Sequence, residues 1–132
     1  MQIEIKNTVQ TDGRTETICE THDCQFSQKK GTSYIIYHNA EKEQVLLKYR
    51  NEELAMIRYS KPKSIMTFRE NHLTAAQIST PLGSQKLLIE TENLSVQPEK
   101  QRIIVDYTLK QAETEAVFAN YHLAISWYEK LS

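Results

Sequence analysis

The chain has 132 residues, 39% hydrophobic and 25% charged, a balance that supports a packed core and excludes disorder. Its 16 basic and 17 acidic residues leave a net charge of -1, without the basic excess of a phosphate-backbone binder, so no nucleic acid is expected. The length fits one domain over residues 1–132, and no apolar stretch approaches the ~20 residues that cross a bilayer as a helix.

The first run alternates, with Ile3, Ile5 and Val9 against Glu4, Lys6, Thr8 and Gln10. That is a half-buried strand, with charges where a signal peptide would be apolar. Asp12-Gly13 follows, a hairpin signal because both residues tolerate positive φ. A second strand over about 14–26 is polar and Thr-rich, so at least one face is wet. Lys30-Gly31 turns the chain into a third strand, 33–38, with Tyr34-Ile35-Ile36-Tyr37 at its centre. A fourth, 44–50, sets Val45, Leu47 and Tyr49 against Lys48 and Arg50. Residues 54–59 read as a fifth strand, although Asn51 would also cap a short helix. Pro62 ends that element.

Residues 64–70 and 73–79 give the sixth and seventh runs, and Thr80-Pro81-Leu82-Gly83 is a turn. The eighth run, 85–96, changes parity. Leu87 and Ile89 are odd, Leu94 and Val96 even, so a β-bulge or a bend is expected near 91–93. Pro98-Glu99-Lys100 turns into a ninth strand, 102–109. The last run, 115–128, has apolar odd positions from Val117 to Trp127 and reads as a strand. Val117, Tyr121, Ala124 and Tyr128 also fit a helical stripe, which leaves a helix open there. The fold class is therefore all-β, a single antiparallel barrel, closed or nearly closed, of about eight to ten strands. Closure removes the edges that ten strands would otherwise expose.

Three stretches carry a family likeness. They are Asp12-Gly13 after the first strand, Ile57-Arg58 leading to Met66-Thr67-Phe68, and Thr80-Pro81-Leu82-Gly83 with the strand after it. With Tyr107-Thr108-Leu109 near the end, their order resembles the YwiB-like proteins, uncharacterised β-barrels of Gram-positive bacteria. The resemblance spans essentially the whole chain. It implies a calycin- or lipocalin-like barrel in the cytoplasm and brings no assigned activity. Ser60 stands where that pattern has a glycine, and Ile78 where it has an aromatic. Intracellular fatty-acid-binding proteins are a poorer match. Asp12-Gly13 leaves no room for their lid helices, and the chain has no Arg-x-Tyr pair.

Chemistry-bearing motifs are sparse. Three glycines, Gly13, Gly31 and Gly83, are too scattered for a phosphate-cradling loop. Cys19-Glu20-Thr21-His22-Asp23-Cys24 is the densest metal-like cluster. On a strand His22 and Cys24 share a face and Cys19 points away, so neither a metal nor any other cofactor is expected. The two thiols lie about 16 Å apart on a straight strand, and a disulfide needs less than ~7 Å. Reduced thiols fit the cytoplasm. No catalytic residue emerges, and an enzyme is the least supported class.

The residues best suited to a ligand are Arg58, Tyr37, Tyr49, Tyr107 and Tyr121. Tyrosine offers an apolar ring with a hydroxyl handle, although it also packs in barrel walls. On a strand Arg58 shares a face with Leu54 and Met56; turned inward it must be paired or wet and would anchor an anion, and turned outward it is a solvated arginine with its stem along the sheet. The first functional expectation is a non-enzymatic cytosolic barrel binding a small apolar or amphipathic molecule. The alternative is a filled barrel acting as a protein-interaction or assembly module, with a homodimer among its partners. A cavity of roughly a ligand's size, several hundred cubic ångströms, separates the two.

Overall fold

The computed structural model describes residues 1–129. Ten antiparallel strands follow one another: β1 (Gln2–Thr11), β2 (Arg14–Lys29), β3 (Thr32–His38), β4 (Gln44–Arg50), β5 (Glu53–Arg58), β6 (Ser64–Arg69), β7 (Leu73–Thr80), β8 (Gly83–Gln97), β9 (Arg102–Gln111) and β10 (Val117–Tyr128). A short 3-10 turn, Pro98–Lys100, joins β8 to β9. Each strand pairs with its neighbours in sequence, and β10 returns to β1 to close the barrel. The closing ladder runs from Gln2↔Tyr128 to Gln10↔Asn120. The turns after β1, β3, β5, β7 and β9 lie at one end, called upper here, and the other turns lie at the lower end.

The two open questions of the sequence resolve as strands. Residues 53–58 cannot begin a helix because Asn51 and Glu52 both take positive φ, 52° and 63°, the geometry of a two-residue hairpin turn. Residues 117–128 form β10 because their odd positions from Ala119 onward face the interior, while Val117, before a register shift, stays 57% exposed. Ala119, Leu123, Ile125 and Trp127 are buried there. A helix would have turned part of that set outward.

The parity change in β8 is a bulge. The register to β9 shifts between Thr91 and Asn93, after which Leu94 faces Val105 and Val96 faces Ile103. The extra residue, Glu92, keeps both halves of β8 facing the core.

The β10–β9 register also shifts between Val117 and Ala119, and two other ladders are short. β2 contacts β3 only from Cys24↔Tyr37 downward, so residues 14–22 pair with β1 alone. The β6–β7 ladder reduces to Ile65↔Gln77. Side chains close the rest of that seam. Ser79 N–H donates to Ser64 Oγ at 2.9 Å, and Thr74 Oγ1 donates to the Thr67 carbonyl.

The interior is full. Phe68, Ile3, Leu47, Leu54, Ile89, Ile125 and Val105 are essentially inaccessible, and Phe26, Met56, Met66 and Tyr121 pack against them. A ten-stranded barrel has room for a ligand. Here inward aromatic and methionine side chains occupy that room.

Candidate functional site

Strand β5 alternates so that Leu54, Met56 and Arg58 share one face. Across the sheet Leu54 stands opposite Phe68 and Arg58 stands between Val45 and Ser64. Arg58 therefore points inward at the upper end. Its Nη2 donates to Ser64 Oγ at 3.2 Å and to the Ser79 carbonyl at 3.4 Å. Its Nε lies 3.8 Å from Glu43 Oε1, shielded from solvent and without a hydrogen bond. Glu43 is itself held by Asn39 Nδ2 at 3.1 Å. The guanidinium thus ties β5 to both sides of the weak β6–β7 seam.

Tyr37 is beside it. His22 stacks on Tyr37 with centroids 5.4 Å apart and planes 13° apart, and His22 Nε2 lies 3.1 Å from Glu20 Oε1. Burial pushes the Tyr37 phenol well above its ordinary range, the Glu20 carboxylate pushes the same way, and Arg58 opposes them. The upper end thus gathers Glu20, His22, Tyr37, Glu43, Arg58 and Ser64.

The other three tyrosines do not join this group. Tyr107 stacks on Tyr121 at 4.8 Å and 6° and meets Phe68 edge-on at 4.8 Å. Burial raises the Tyr107 phenol, its Tyr121 neighbour adds to this, and the nearby Asn7 amide partly offsets it. Burial alone raises Tyr121. Tyr49 lies toward the lower end, lining an apolar hollow with Phe26, Leu47, Pro98 and Trp127. That hollow measures about 10 Å³, room for about one water, whereas ligand pockets run to roughly 300–1,000 Å³. Larger hollows are surface clefts: one of about 570 Å³ beside Tyr49, Arg69 and His72 is mostly polar, and one of about 470 Å³ beside Tyr107, Tyr121 and His122 is of mixed lining.

The cysteines are both free, Cys19 exposed and Cys24 buried. Burial raises the Cys24 thiol, which Asp23 and Glu129 reinforce and the Met1 amino group opposes. That is the reverse of an activated nucleophile. Among the described residues no group of three or more His, Cys, Asp or Glu is placed to hold a metal.

Sequence reasoning missed one polar cluster, on the outer face. β9 and β10 place His122 opposite Asp106, with His122 Nδ1 on Asp106 Oδ1. Asn93 Nδ2 donates to the other carboxylate oxygen at 3.2 Å. His122 and Asp106 are 16 residues apart, so only register brings them together. A catalytic reading finds no nucleophile. Thr8 stands opposite His122, but its hydroxyl pairs with Thr17 Oγ1 at 3.3 Å.

Comparison with known proteins agrees with the barrel. The sequence pattern of the family described as Domain of unknown function (DUF1934) matches residues 3–125. Among solved structures, the crystal structure of ywiB protein from Bacillus subtilis resembles this chain with a TM-score of 0.76. The two are 18% identical, over 97% of this chain and 91% of that one, which bears out the resemblance read from the sequence. No curated protein matches the chain.

Proposed function

The chain belongs to the family of domains of unknown function DUF1934, and for this member we propose a filled, non-enzymatic barrel that works through its outer surface as a protein-interaction module. The single observation that carries this reading is the packed interior, whose apolar hollow beside Tyr49 and Trp127 is about 10 Å³. A lipocalin-like carrier needs an interior of ligand size. The scatter of the five candidate residues supports the same reading. Arg58 is engaged in holding a seam, and Tyr107 and Tyr121 are stacked on each other as wall. Two free thiols fit a cytoplasmic protein.

A small amphipathic ligand remains the second reading, favoured by the Arg58 Nε near the upper mouth, which has the Glu43 carboxylate at 3.8 Å but no hydrogen bond. Native mass spectrometry of protein purified from cells separates the two. With it goes thermal unfolding in the presence of a fatty acid and of an apolar dye. The expected result is the bare chain mass and an unchanged Tm. A stoichiometric added mass, lost in Arg58→Gln, would overturn the filled-barrel reading.

A further inference from the structure

The upper half of β2 is a strand edge with no partner. β1 covers one side of residues 14–22, and β3 begins only opposite Cys24. Residues 14–19 are all exposed. Ile18 in their midst is 49% exposed, although a free edge is where a protein usually avoids apolar groups. The two-residue turn at 12–13 fixes which groups face outward. Thr11↔Arg14 flanks that turn and is the hydrogen-bonded pair of the hairpin. Alternation then turns the N–H and C=O of Thr15, Thr17 and Cys19 away from β1, toward the empty side.

We propose that this edge pairs with the same edge of a second copy, in antiparallel register centred on Thr17, joining the two β1–β2 hairpins into one continuous sheet. The inference rests on the interaction reading above and names its partner. Two copies related by a two-fold axis normal to the sheet pair only residues of equal parity, so each register has one residue on the axis. Centring on Glu16 sets that carboxylate against its own copy. Centring on Ile18 sets Glu16 opposite Glu20 twice, and directs the Asp12-Gly13 tip at the level of Cys24, where β3 occupies the edge. Centring on Cys19 drives the tip further into β3.

Centring on Thr17 places the tip beside residues 21 and 22, whose backbone has no ladder partner on β3. It also places Arg14 opposite Glu20 twice, Thr15 opposite Cys19 twice, and Thr17 on Thr17. Opposite charges and paired threonines both stabilise cross-strand neighbours. The two Ile18 side chains become diagonal neighbours and cover each other. The free backbone groups of Thr15, Thr17 and Cys19 are the ones this register satisfies. Seven paired residues per strand make a small interface, in the transient class below about 1,200 Å², so the dimer is reversible.

Sedimentation equilibrium across a concentration series tests the pairing. The expected result is a monomer–dimer equilibrium weakened by salt and abolished by Arg14→Glu. The double variant Arg14→Glu/Glu20→Arg restores it, with circular dichroism confirming an intact barrel throughout. Register is read separately in a Cys19→Ser background. Under mild oxidation, Glu16→Cys and Ile18→Cys proteins form a disulfide when mixed and none when alone, because 16 opposes 18 of the other copy and neither opposes itself. A monomer at every concentration overturns the proposal. A dimer that gives no mixed disulfide overturns it equally, since the pairing then lies elsewhere. Either failure is distinct from that of the filled-barrel reading, which falls only to a bound ligand.

Discussion

Arg58 shows how much one position depends on its surroundings. Its residue type and its shared face with Leu54 and Met56 were readable in the sequence. Its task was not, because Ser64 and the Ser79 carbonyl reach it only through the folding of β6 and β7. Ser64 is 7% exposed and accepts from both Arg58 and the Ser79 N–H. Ser64→Ala leaves a shielded donor unmatched and should cost about 1–3 kcal/mol in urea unfolding, with faster hydrogen exchange at the Ser79 amide. A residue held against its preference offers the opposite test. Glu52 sits at φ 63° in the β4–β5 turn, where an L side chain is strained. Glu52→Gly creates the favoured Asn-Gly turn and should raise stability by about 0.5–1 kcal/mol in the same measurement.

Strands were the most legible level, because period-two alternation is local. The parity break in β8 was visible in Leu87 and Ile89 against Leu94 and Val96, and it is a bulge. Deleting Glu92 removes the extra residue and turns Leu94 and Val96 outward, or forces β9 out of register. The expected outcome is a loss of cooperative thermal unfolding, whereas Glu92→Ala, which keeps the count, should retain it. The unpaired half of β2 was less legible. Its polar, Thr-rich composition signalled exposure, but where β3 ends against it is a fact of register. The narrow β6–β7 ladder was equally hidden, since Thr74 and Ser64 closing it look like ordinary strand residues.

For the whole molecule the decisive property is the filled interior. Phe68, fully buried against the Tyr107 ring, is at its centre. Phe68→Ala should cost about 3–5 kcal/mol by chemical denaturation, and the resulting void should bind a small apolar dye that the parent chain ignores. Burial also makes the barrel sensitive to alkali. Tyr37, Tyr107 and Tyr121 all have phenols raised above the ordinary tyrosine value of about 10. Neutral tyrosine is thus favoured in the folded state. The associated stability is fully present below about pH 10 and is lost as pH rises above it, when unfolded tyrosines ionise and folded ones resist. Tm should fall through this window together with a rise in tyrosinate absorbance, and Tyr107→Phe should blunt the fall.

By itself the sequence determined the strand run, the turns, the bulge and the antiparallel barrel, since each depends on alternation or on turn chemistry within a few residues. It also supplied the aromatic side chains. Whether these enclose a cavity or fill it depends on ten strands meeting around one axis, and that volume is a sum over residues far apart in the chain. Tertiary structure alone decided that the barrel is packed and that Arg58 closes a seam. It also left the upper edge of β2 without a neighbour, because β3 and β2 differ in length by an amount that only their register reveals.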